Sequence, residues 1–194
     1  MSDPVDHQQE DQDVVDRVLG GDVNAFERLF NRHQGHVTAI VRRHVPGDRV
    51  AENVQEAFVR AFQSLAGWKA KSSFRRWLAT IAVRTCYDFW RRQYRRREIP
   101  MSRLSTASRE WLEGNLADRS RDDWEALGRR AEAREILAWA LSRLGPEDRM
   151  VLELVYLEGQ SVKAAARMLG WSPVNVKVRA HRARKKINRW LLRR

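Results

Sequence analysis

One cysteine, Cys86, stands in the 194-residue chain. A lone cysteine excludes an intrachain disulfide framework and a cysteine-rich zinc site, and makes a reducing, cytoplasmic compartment the default expectation. Long apolar runs are missing as well, far short of the roughly 20 residues that a membrane-spanning helix needs. The first residues are acidic and polar rather than basic and then apolar, so no secretory signal is expected. There is no Walker-type glycine loop, no dinucleotide fingerprint, no Gly-x-Ser-x-Gly elbow and no useful length of strand-like alternation. Cys86 falls within a helical apolar pattern, which suits packing better than nucleophilic chemistry. His33, His36 and His44 have helix-like spacing, but no acid or cysteine stands at a matching interval, so no metal site is expected. Asp122 and Asp123 lie in a polar stretch with no sign of a pocket. No active site and no cofactor emerge from this reading, and the chain is expected not to be an enzyme.

What the chain does have is positive charge, unevenly placed. Lys and Arg number 37 against 25 Asp and Glu, a net charge of +12, although the first sixteen residues hold six acids and no Lys or Arg. A body this basic favours an anionic partner, either nucleic acid or an acidic membrane surface. The charge is densest at the C-terminal end, where Lys177 to Arg194 holds nine Lys or Arg and no acid. The same region carries the spacing of a helix-turn-helix. Ala166 allows close helix packing, Gly170 suits a left-handed turn, and Val176 closes a small core. Ser161 is the expected cap of the first helix. Ser172 and Pro173 supply an N-cap and a first helical residue for the second. A helix-turn-helix whose second helix is this basic reads as a DNA-binding unit.

The rest of the chain is expected to be helical. Residues 1–12 read as an acidic disordered tail. A short helix is predicted over Asp13 to Leu19, stopped by Gly20-Gly21, and Asn24 with Glu27 forms a possible capping box for the next. A third helix spans about Arg49 to Leu65, with Val54, Phe58, Ala61, Phe62 and Leu65 on one side and Glu52, Gln55 and Glu56 on the other. Ser72-Ser73 caps a fourth, about Phe74 to Arg97, with Trp77 on its apolar side and a strongly basic end. Periodicity fails between about Glu98 and Arg121, where Pro100, several Ser and Thr, Gly114 and Asn115 mark a linker, with Trp111 and Leu112 able to dock elsewhere. Beyond it, Ala133, Ile136, Leu137, Ala140, Leu141 and Leu144 form an apolar stripe. Gly145-Pro146 then starts a helix on which Val151, Leu152, Leu154, Val155 and Leu157 are expected to pack. The predicted fold class is all-α: two small helical domains, residues 13–97 and 127–194, joined by a flexible linker over 98–126, with the C-terminal domain a helix-turn-helix.

Taken in order, Glu52-x-x-Gln55-Glu56-x-Phe58, then Phe74-x-x-Trp77-Leu78-x-x-Ile81-Ala82, a basic helix end, a linker and a basic helix-turn-helix resemble the extracytoplasmic-function sigma factors of bacterial RNA polymerase. The resemblance implies a protein that binds core RNA polymerase through its β and β′ subunits, directs it to −35 and −10 promoter elements and helps to melt DNA. It places Glu52, Gln55 and Glu56 on the face that docks on the β′ clamp helices. It assigns Trp68, Lys69, Lys71, Ser72, Arg84, Asp88, Arg91, Arg92 and Arg95 to the −10 element and melted strand. It assigns Ser172, Pro173, Asn175, Lys177, Val178, Arg179, His181, Arg182 and Lys185 to the −35 element. An anti-sigma factor is a further implied partner. The chain departs from the family pattern at Glu52, usually Asp, at Arg84, usually Asn, and at Val174 and Val178, usually Gly and Ser. The alternatives are a stand-alone helix-turn-helix regulator, which would bind duplex DNA without polymerase, and a helical nuclease or recombinase, which would need clustered acids for metal.

Overall fold

A computed structural model describes residues 4–70, 72–95 and 135–192. Four helices make the N-terminal module: α1 (Pro4–Leu19), α2 (Phe26–His44), α3 (Val50–Gln63) and α4 (Phe74–Arg95). The C-terminal module has α5 (135–143), α6 (Pro146–Leu152) continued by a π-turn over Glu153–Leu157, α7 (Val162–Leu169) and α8 (Pro173–Leu192). No strand occurs among the described residues. The predicted linker, with Trp111 and Leu112, lies outside them, as do residues 127–134.

The apolar stripes meet as their 3.6-residue period requires. Leu29, Val37 and Val41 of α2, Ala57, Phe58 and Ala61 of α3, and Phe74, Leu78, Ala82 and Val83 of α4 are all buried in one core. Alanines at 57, 61 and 82 let the three helices approach closely, and Phe74 fills the space between them, fully buried against the rings of His33, Trp68 and Trp77.

Several local expectations change. The stretch read as a disordered acidic tail is helical from Pro4, and Asp11 within it is only 3% exposed. Asp11 accepts a 2.6 Å hydrogen bond from Arg32 and lies 2.9 Å from His33 Nε2, so these two side chains of α2 hold the acidic helix in place. The Asn24 capping box does not form. A 3₁₀ turn over Val23–Ala25 leads into α2, with Ala25 at the cap position and no side-chain cap bond. Helix α3 ends at Gln63 in another 3₁₀ turn, and Phe62 stays 40% exposed at the edge of the core, its ring against Phe26. Leu157 is half exposed, because the π-turn adds a residue to the helical turn and rotates it outward while Glu153 and Leu154 face in.

The helix-turn-helix forms on its written signals. Ser161 Oγ accepts from the Ala164 amide and Ser172 Oγ from the Asn175 amide. Gly170 ends α7 at φ +72°, and Ala166 and Val176 are buried between α7 and α8.

The two modules also pack against each other, which no periodic pattern announces. The buried cluster runs on from Val83, Cys86, Phe89 and Trp90 of α4 into Met150, Val151, Leu154, Ala165 and Leu169 of the C-terminal module. Polar groups cross the same seam. His44 Nδ1 lies 2.8 Å from Glu153 and Tyr87 bonds Glu147 at 3.1 Å, while within the N-terminal module Trp90 Nε1 donates to the His44 carbonyl at 2.7 Å and ties α4 to the end of α2. The Arg149 guanidinium sits 3.4 Å over the Trp90 ring while its Nε donates to Glu153.

Candidate nucleic-acid interface

Helix α8 buries Val176, Ala180 and Ala183 and turns its other sides outward. Ser172, Pro173, Asn175, Lys177, Val178, His181, Arg182 and Lys185 are all exposed there. Arg179 is half-buried and engaged on three sides. It donates to Asp148 Oδ1 at 3.2 Å and to Asn175 Oδ1 at 3.1 Å, and its guanidinium lies 5.4 Å from the centre of the Trp171 ring. Lys186 reaches the second oxygen of Asp148 at 2.6 Å. Neither Asp148 nor Trp171 stands out in the sequence, since their relation to α8 exists only once the module is folded. With a basic outer face and a capped N-terminal end, α8 can lie in a major groove and meet phosphates on either side.

On α3, Glu52 and Gln55 are exposed and Glu56 half-buried. They line one shallow depression of about 350 Å³ with Asn53, Val59 and Arg92 of α4. Arg60 ties this face to α4, donating to Glu56 at 2.7 Å and to Asp88 at 2.5 Å. Burial would lower the Arg60 pKa, but the Asp88 and Glu56 carboxylates outweigh it and raise it, so the guanidinium stays charged. Asp88, read as a −10 contact, is therefore already partnered, and Arg92 borders the acidic α3 face.

The residues assigned to the −10 element do not gather into one open surface. Trp68 is 7% exposed, its Nε1 donating to the Ser72 carbonyl at 3.1 Å and its ring edge-on to Phe74. It is a core residue rather than a free platform for a base, because the turn after α3 folds it over the start of α4. Lys69 is exposed and Ser72 half-buried, while Lys71 lies outside the described residues. Arg91, Arg92 and Arg95 are exposed along the end of α4. Arg84 is exposed too, but its Nε donates to the Met168 carbonyl at 3.2 Å, so it caps the end of α7 across the seam. Beside it a groove of about 690 Å³ between α4 and α7 carries Arg76, Trp77, Arg84 and Arg167.

Cys86 is fully buried, and burial followed by the nearby Glu153 and Glu158 charges pushes its thiol up to about 12, far from a reactive thiolate. Among the described residues no group of three or more His, Cys, Asp or Glu is placed to hold a metal, and no helix is long and apolar enough to cross a membrane.

A helix-turn-helix with a basic second helix, carried beside a helical bundle with an acidic face and an arginine-rich helix end, defines a DNA-binding protein of the transcription machinery. Two family descriptions match: "Sigma-70 region 2" over residues 29–96 and "Sigma-70, region 4" over residues 134–187. The chain is 34% identical to the ECF RNA polymerase sigma-E factor of Escherichia coli over 178 residues, 92% of each chain. It is 30% identical to the RNA polymerase sigma-H factor of Pseudomonas aeruginosa over 185 residues, 95% of each. Among solved structures it resembles CnrH, determined in complex with the cytosolic domain of CnrY, at 26% identity and a TM-score of 0.52, covering 92% of this chain and 94% of CnrH. The chain belongs to the extracytoplasmic-function sigma factors.

Proposed function

We propose that the chain is a promoter-specificity subunit, a binding protein rather than an enzyme, that acts in the cytoplasm on core RNA polymerase. The α3 face of Glu52, Gln55 and Glu56 is the docking surface for the clamp helices of the β′ subunit. Lys69, Arg91, Arg92 and Arg95 meet the −10 element and its melted strand, and α8 reads the −35 element. The observation that carries this reading is the division of charge. An acidic face on one module suits a protein partner, and a basic recognition helix on the other suits a phosphate backbone. Each reader alone binds weakly, and joining them on one chain raises the effective concentration of the second once the first is bound.

Both elements cannot be read in the packed arrangement. Sites centred about 25 base pairs apart lie roughly 85 Å apart at 3.4 Å per step. A compact body of this chain length is only about 40 Å across. The seam between α4 and the C-terminal module therefore parts when the protein engages a promoter, which frees Arg84 from α7. An anti-sigma factor is a proposed further partner, and CnrH, which the chain resembles, was likewise determined with a second protein bound, the cytosolic domain of CnrY.

The test is binding of the purified chain to bacterial core RNA polymerase without DNA, followed by run-off transcription. Nanomolar one-to-one binding is the expected result. A folded monomer that ignores polymerase but holds a duplex operator would instead be a stand-alone regulator.

A further inference from the structure

Asp148 has no part in the roles above, yet it is 6% exposed and accepts from two cations of the recognition helix. Arg179 Nη1 stands 3.2 Å from one oxygen and Lys186 Nζ 2.6 Å from the other. Arg179 cannot leave without stripping a buried carboxylate of one of its two partners, and breaking such a pair is costly. With Arg179 pinned to Asp148 and set against Trp171, its Nε is aimed at Asn175 one turn earlier. Arginine carries only donors, so the atom of Asn175 that faces it at 3.1 Å has to be the amide oxygen. The amide NH₂ is then what Asn175 has to offer a ligand. Asn175 is the third residue of α8 and exposed, in the part of a recognition helix that reaches base edges.

We infer that Asp148 is a positioning residue for −35 specificity. Through Arg179 it turns the amide oxygen of Asn175 back along α8 and presents the NH₂ donor outward. An asparagine free to turn pairs with adenine through both amide atoms, the oxygen accepting from N6 and the nitrogen donating to N7. An asparagine whose oxygen is turned back to Arg179 presents its NH₂ outward, and it favours a base edge that meets it with acceptors, guanine N7 and O6 or thymine O4, over adenine, whose N6 places a donor beside the N7 acceptor. The inference rests on the proposed −35 role of α8. It also makes Arg179 an internal strut rather than a reader of bases.

The experiment uses the full chain with core RNA polymerase and promoters carrying every single-base change in the −35 element, read by competitive run-off transcription. Asn175→Ala identifies the position concerned as the one that loses its preference. In the native protein guanine or thymine should outcompete adenine there by about tenfold, the scale of a good base contact. Asp148→Asn, close to isosteric, should reduce that preference to less than about threefold while the other positions keep theirs. Arg179→Met should do the same with Asp148 intact, which keeps the test alive should Asp148→Asn fold poorly. A preference for adenine in the native protein, or a guanine or thymine preference that survives both variants, overturns the inference alone. Loss of transcription shared equally by all −35 sequences also overturns it, because Asp148 would then be only a brace. A native protein that binds polymerase but shows no −35 preference on any promoter overturns the −35 reading of α8 and the inference with it.

Discussion

His44 Nδ1 lies 2.8 Å from Glu153 Oε2, a pair 109 residues apart in sequence and buried on both sides of the seam between the modules. Glu158 Oε1 stands 3.0 Å from the other ring nitrogen, out of line for a good hydrogen bond but close in charge. Burial alone would lower the His44 pKa. The Glu153 hydrogen bond, then Glu158 and the charge of both carboxylates, outweigh it and raise it to about 9. Arg149, on the far side of Glu153, shares the same carboxylate. Cys86 beside it stays an uncharged thiol.

The seam is therefore proton-linked. A histidine raised from about 6.5 stabilises the packed state fully below that value and loses its contribution as pH climbs through about 9. The total is on the order of 3 kcal/mol. Thermal unfolding at a series of pH values should show Tm falling between pH 6.5 and 9. In His44→Asn that fall should be absent or much reduced. A native Tm flat across this window would refute the charged seam.

Trp68 provides a test of core against DNA contact. As a buried ring it should cost about 3–5 kcal/mol on replacement by Ala, measured by urea unfolding. Trp68→Phe keeps most of the packing and should leave −10 preference unchanged. A stable Trp68→Ala that fails only in promoter melting would return Trp68 to the DNA surface.

Gly170 ends α7 at φ +72°. Gly170→Ala should lose roughly 1–2 kcal/mol from the left-handed backbone alone. An added Cβ would also sit 2.8 Å from Arg84 Nη2. That guanidinium is the end of a flexible side chain and can swing aside, so the steric part is small, but Arg84 would give up its seat on the Met168 carbonyl. Chemical denaturation gives the first effect. Limited proteolysis of the parted modules gives the second, as faster cleavage than in the native chain.

Gln55→Ala combined with Glu56→Ala removes two members of the α3 face, one exposed and one half-buried. Affinity for core polymerase should fall by at least tenfold, while Tm moves by no more than a few degrees, since the half-exposed Glu56–Arg60 pair is still screened by solvent and contributes about 1 kcal/mol or less. Unchanged affinity would mean that the docking face lies elsewhere.

The chain itself determined its helices, because each depends on residues three or four apart. Phe74 to Trp90, the Ser161 and Ser172 caps, Gly170 and the exposed row from Asn175 to Lys185 are all legible one turn at a time, and so is the acidic edge of α3. The departures come where distant residues decide. Asp11 belongs to a helix held by Arg32 and His33 of α2, although its own neighbours look like a solvated tail. Trp68 reads as an accessible aromatic among lysines until Phe74 is folded beneath it. Arg84 and Arg179 look like two free cations on basic helices. Only the packing gives the first a carbonyl on α7 and the second a carboxylate on α6. The same holds for His44, whose charge is set by Glu153 and Glu158 from the other module. Helix formation is a short-range matter of spacing and caps. The charge state and freedom of a buried or bridging side chain depend on partners that the chain meets only after both modules have closed.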